Sequence, residues 1–94
     1  MQQNSVEVLI TNKSGLHARP ASLFVQEANK YKSEIEINCK DKTVNAKSIL
    51  SILGLGANKG STIVISAEGE DAGVALSGLK EFLEKELPRV DGAE

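Results

Sequence analysis

The sequence predicts an α+β open-faced sandwich with element order βαββαβα, one sheet covered by helices on a single side. Three observations predict it. Four short stretches alternate apolar and polar residues with a period of two, the longer helical stretches carry one apolar stripe each, and turn residues separate the elements. Strands with one polar face leave one side of a sheet to water, while striped helices cover the other.

Ser5 to Ile10 reads as the first strand, with Val6, Val8 and Ile10 on one face. Thr11-Asn12-Lys13-Ser14-Gly15 is a polar turn. A helix from Ala18 to Tyr31 follows, its buried stripe formed by Ala21, Phe24, Val25, Ala28 and Tyr31. Pro20 fits its first turn, where the N–H groups have no intrahelical partner to lose. Glu34 to Asn38 alternates Ile35 and Ile37 with polar residues, and Lys40-Asp41-Lys42 turns into a short strand over Thr43–Ala46. Ser48 caps a short helix to Leu53, ended by Gly54 and Gly56. Ser61 to Ser66 is the fourth strand. Asp71 caps a last helix to Leu87, with Ala75, Leu79, Phe82, Leu83 and Leu87 as its apolar face. Pro88 is expected to stop that helix, leaving 89–94 as a polar tail.

A chain of 94 residues has room for one domain and one modest core. Its apolar fraction of 40% and charged fraction of 26% are ordinary for a globular protein. The net charge of −2 and the scattered lysines argue against a nucleic-acid partner, whose phosphates call for a basic surface. Cys39 is the single cysteine, which excludes an intrachain disulfide or a cysteine metal cluster, so neither metal nor cofactor is expected. No apolar run approaches a membrane span and no leader pattern opens the chain, so a cytoplasmic location without membrane insertion is expected.

The chemistry concentrates in Gly15-Leu16-His17-Ala18-Arg19-Pro20, which contains the only histidine. A histidine at a helix N-cap stands beside backbone N–H groups that lack intrahelical acceptors. Those donors and the positive end of the helix dipole favour an anion, and Arg19 adds a bidentate cation. Neutral imidazole is a nucleophile, so a phosphoryl group on His17 would arrive with its charge already solvated. A lone histidine at a helix start is more commonly a surface cap, and the motif alone leaves both readings open. The chain supplies no second histidine, no P-loop and no metal motif. A small phosphatase is therefore disfavoured, and a carrier whose partners supply the rest of the catalysis fits better.

The run Gly15-Leu16-His17-Ala18-Arg19-Pro20-Ala21 resembles the active-site signature of HPr, the histidine-containing phosphocarrier family of the bacterial sugar phosphotransferase system. Asn45-Ala46-Lys47-Ser48-Ile49-Leu50 with Leu55-Gly56 forms a second matching block, and Gly60 with Ile63 to Gly69 a third. The resemblance runs from about Val6 to Leu87 and suggests an HPr-like domain over 1–88. It implies an antiparallel sheet in strand order 1-4-2-3, which periodicity alone does not supply. It implies that phospho-enzyme I phosphorylates His17 on Nδ1 and that enzyme IIA domains receive the group, with no enzymatic turnover by the chain itself. Arg19 would hold the phosphoryl oxygens, and the amides of Ala18 and Arg19 would complete the cradle.

Serine at an N-cap is common, and by itself Ser48 is a capping residue. The family resemblance adds a second role, phosphorylation by HPr kinase/phosphorylase, which would place a dianion at the start of a helix beside an apolar face. Ile49, Leu50 and Leu53 are the candidate docking residues. One or two of them are expected to be buried, and the resemblance points to Leu50 and Leu53 as the exposed pair. They would contact enzyme I, enzyme IIA domains and a catabolite-control transcription regulator. The tail beyond Leu87 exceeds that of short family members, whose terminal carboxylate can lie near the histidine. A monomer forming transient complexes is expected. The alternative is a purely regulatory HPr-like module acting through phospho-Ser48, a class in which the histidine is replaced; His17 favours the carrier.

Overall fold

A computed structural model describes residues 4–91. The order is β1 (Asn4–Leu9), α1 (Ala18–Ala28), β2 (Glu34–Cys39), β3 (Lys42–Asn45), α2 (Ile49–Leu55), β4 (Thr62–Glu68) and α3 (Ala72–Glu81). A π-helical turn, Phe82–Glu86, then leads into α4 (Leu87–Asp91). The four strands form one antiparallel sheet in the order β1-β4-β2-β3. Both the element order and the strand order agree with expectation.

Register explains the two faces. Val8 lies opposite Ile63, and Ile65 lies between Val6 and Ile37, so the apolar members of three strands share one side. The other side carries Glu7, Glu34, Glu36 and Glu68, all exposed. α3 packs on β1 and β4, α2 on β3, and α1 on α2 and α3. Phe24 of α1 and Phe82 meet inside this layer as a tilted pair with ring centroids 6.5 Å apart. Removing each large buried side chain from water contributes about 1.5–3 kcal/mol, which sets the depth at which Phe24, Ile52, Leu79 and Leu83 anchor their helices.

Four local expectations are corrected. α1 ends at Ala28, not Tyr31, because the bonds after Asn29 tighten to i→i−3, Lys30 N–H on Glu27 O and Tyr31 N–H on Ala28 O; Tyr31 reaches the core from this turn, its hydroxyl over Gly78. α2 runs through Gly54 to Leu55, and only Gly56 ends it, in the left-handed conformation (φ 77°) that glycine adopts without a Cβ penalty.

Asp71 stands at the N-cap position of α3 but does not cap it. Its carboxylate accepts instead from the N–H groups of Lys32 and Ser33, at 2.9 Å each, and from the Ser33 hydroxyl. The bond from that hydroxyl is the foremost cause holding the Asp71 carboxyl at about 2, below its ordinary 3.8, with the Lys32 N–H next.

Pro88 does not stop the last helix. One residue before it, Leu87 N–H already bonds to Phe82 O, a shift to i→i−5 pairing. The wider turn accommodates a proline that has no N–H to give and a ring that would crowd a regular α-turn. The helix therefore continues to Asp91, so residues 89–91 of the expected tail are helical. Residues 92–94 of that tail, like 1–3, lie outside the described residues.

Candidate functional site

His17 stands where it was expected, at the N-cap of α1 with an extended backbone (φ −119°, ψ 153°). Its ring makes no capping bond back to the helix. Instead its Nε2 lies 2.6 Å from Asn58 Oδ1. An amide oxygen only accepts, so Nε2 carries the hydrogen and Nδ1 keeps its lone pair. Of the two ring nitrogens, Nδ1 makes no hydrogen bond among the described residues.

The loop before His17 is fitted to the segment that carries Asn58. Leu16 N–H donates to Ala57 O at 2.9 Å. Gly15 adopts φ +62°, and a Cβ there would come within 2.6 Å of Ala57 O and 2.7 Å of Asn58 Cα, so only glycine lets the two segments touch. Asn58 is fixed in turn by its N–H on Ser61 Oγ and by Ser61 N–H on its own carbonyl. The result is a short backbone-to-backbone contact that presents an amide oxygen to the imidazole.

The first turn of α1 supplies the anion-directed donors. The amides of Ala18 and Arg19 precede any intrahelical acceptor, and buried Pro20 adds no N–H. Ala18 itself has φ 52°, a left-handed conformation that costs a non-glycine residue of order 1–3 kcal/mol and is found disproportionately at functional sites. Arg19 is exposed and makes no ion pair among the described residues, so its guanidinium is uncommitted. No group of three or more His, Cys, Asp or Glu that could hold a metal occurs among the described residues.

Ser48 stands at the N-cap of α2, its hydroxyl accepting from Ser51 N–H at 3.3 Å. Ile49, Leu50 and Leu53 are all exposed, at 38%, 78% and 38%, so the expectation that one or two would be buried is wrong. Ile52 and Leu55 anchor the helix instead, which turns the other three outward. No hydrogen bond or ion pair joins Ser48 to His17 or Arg19 among the described residues, although α2 packs on α1. Cys39 is buried and free.

Sequence reasoning missed Asn58. It sits between Gly56 and Gly60 in a segment that signals only a turn, 41 residues from the ring it contacts. It also missed the hold of Asp91 on the loop. Asp91 accepts from Asn12 Nδ2 (2.9 Å), Ser14 N–H (2.7 Å) and Ser14 Oγ (3.1 Å). The Asn12 bond is the foremost cause lowering the Asp91 carboxyl below the ordinary carboxylate range, with the Ser14 N–H next.

Known proteins are similar to this chain in sequence and fold. The family described as the PTS HPr component phosphorylation site matches residues 4–85. The HPr-like protein Crh of Halalkalibacterium halodurans is 50% identical over 86 residues, covering 92% of this chain and all of that protein. Among solved structures, the phosphocarrier protein HPr of Bacillus anthracis superposes with a TM-score of 0.85 at 46% identity, over 88% of this chain and 99% of the other. The catabolite-repression protein Crh of Bacillus subtilis, described as a dimer with a swapped domain, gives a TM-score of 0.71 at 40% identity, over 90% and 94% of the two chains.

The family match defines a small phosphocarrier rather than an enzyme. The chain belongs to the HPr family of the phosphotransferase system.

Proposed function

We propose that His17 accepts a phosphoryl group on Nδ1 from phospho-enzyme I and passes it to enzyme IIA domains during sugar uptake in the cytoplasm. The observation that carries this reading is the Nε2–Asn58 contact, which leaves Nδ1 as the nucleophile. In the transfer, an Nδ1–P bond forms as the donor's bond to phosphorus breaks, and Nε2 keeps its hydrogen. The ring gains positive charge in that step, and the Asn58 oxygen faces it. The amides of Ala18 and Arg19 and the Arg19 guanidinium receive the phosphoryl oxygens. Return of the group to a partner reverses the same bonds, as a carrier requires. Ile49, Leu50 and Leu53 form the face on which those partners dock, since apolar residues this exposed gain most from being covered. A monomer suits such brief encounters, and light scattering at working concentration checks it against the swapped dimer described for a relative.

The test is incubation with phosphoenolpyruvate and enzyme I, then with an enzyme IIA domain. Wild-type protein should gain the label and lose it to the acceptor. A His17→Ala variant should gain none, and equal labelling of both would overturn the reading.

A second reading has support in the 50% identity to a Crh-type protein. In it the chain regulates through phospho-Ser48, recognised by a catabolite-control transcription regulator after HPr kinase/phosphorylase acts. The two roles are compatible here because His17 is present. Phosphorylation of Ser48 with ATP and the kinase should slow transfer to His17, and an unchanged rate at full modification would refute the switch.

A further inference from the structure

We infer that Asp91 is a positioning residue for His17, its carboxylate clasping the 12–15 loop from the end of α4. The inference rests on His17 being the phosphoryl acceptor. Asp91 spends three hydrogen bonds on Asn12 and Ser14, residues 77 to 79 positions away in sequence. Each has an ionised acceptor, which makes such bonds shorter and stronger than neutral ones. Docking of α4 does not require them, because Leu87 at its start is fully buried.

The contacts continue without a gap to the imidazole. Asn12 is only 1% exposed, and its Nδ2 bonds both to Asp91 and to Gly15 O (2.7 Å), while its Oδ1 has no partner among the described residues. The place of this buried amide is therefore set by those two Nδ2 bonds. Gly15 N–H returns a bond to Asn12 O at 3.2 Å, which closes the loop. Gly15 and Leu16 lie directly on Ala57 and Asn58, and Asn58 holds Nε2. Asp91 thus fixes the loop, the loop fixes its fit to Asn58, and that fit aims the ring.

The test compares Asp91→Ala, Asp91→Asn and, as a control on the same helix, Arg89→Ala, which removes only the exposed ion pair to Glu86. Three quantities are read: the nitrogen resonances of the His17 ring by NMR, kcat and KM for phosphorylation by enzyme I, and the denaturation midpoint. Asp91→Ala should shift the Nε2–H signal and lower kcat on the order of threefold to tenfold with little change in KM, as when a reacting group loses part of its preset geometry. Asp91→Asn, which retains a carbonyl acceptor, should recover part of both, and Arg89→Ala should match wild type. Unchanged ring signals and kcat in Asp91→Ala would overturn the clasp, as would an equal loss in Arg89→Ala. Shifted ring signals in a protein that enzyme I never labels would uphold the clasp while sinking the phosphoacceptor reading.

Discussion

The His17 ring is held by Asn58: Nε2 donates to the amide oxygen across 2.6 Å and 41 residues of sequence. One hydrogen bond here selects the tautomer, orients the ring and leaves Nδ1 open. Asn58→Ala should therefore slow phosphorylation of His17 by roughly two- to tenfold, the range given by one hydrogen bond of about 0.5–1.5 kcal/mol. Because the side chain is exposed, denaturant unfolding should shift by no more than about 0.5 kcal/mol. Stopped-flow transfer from enzyme I and urea melts measure the two effects separately.

Gly15 is what allows that bond to exist. A methyl group at this position would strike the Ala57 carbonyl and Asn58 Cα while the backbone holds φ at +62°. Gly15→Ala should cost about 1–3 kcal/mol in chemical denaturation, the usual range for a strained left-handed residue. It should also move the His17 ring signals, because the clash displaces the residue that holds Nε2.

The proposed docking face would separate stability from recognition within one helix. Leu50 is 78% exposed, so Leu50→Ala should leave stability within about 0.5 kcal/mol while weakening enzyme I binding by at least about 1 kcal/mol. Ile52, two residues on, is fully buried, and Ile52→Ala should cost about 2–5 kcal/mol of stability. Calorimetric titration and urea melts on the two variants check the contrast.

Asp71 makes stability depend on acid. Its folded carboxyl titrates at about 2, below the ordinary 3.8. A depressed folded value means that the unfolded chain binds the proton first, so this contribution is complete above about pH 4. It falls away as pH drops through about 2. The stability gap between wild type and Asp71→Ala should accordingly be widest at neutral pH and narrow between pH 4 and 2. A gap independent of pH would exclude a role for the ionised carboxylate.

Local signals made most of the elements legible. Period-two alternation located β1, β2 and β4, and the Ser48 cap marks where α2 begins. Strand order was legible only through the family motif, since alternation says which face of β4 is buried but not that β1 and β2 flank it. Pro88 misled because the π-turn that accommodates it is a response to packing, with Leu83 and Leu87 both drawn into the core. Asp71 misled for a related reason: a distant segment gives its carboxylate three donors, and it makes no side-chain bond to the helix start. His17 and Arg19 were legible because their chemistry is local to one helix start. Asn58 and Asp91 were not, because Asn58 meets the ring, and Asp91 the loop before it, only through tertiary contact.

The attachment point of the phosphoryl group tests the central claim most directly. Phosphorus and nitrogen NMR on protein charged with phosphoenolpyruvate and enzyme I should show one acid-labile phosphoramidate coupled to Nδ1 of His17, with Nε2 still protonated. Phosphorus on Nε2, or a label that survives acid, would contradict it.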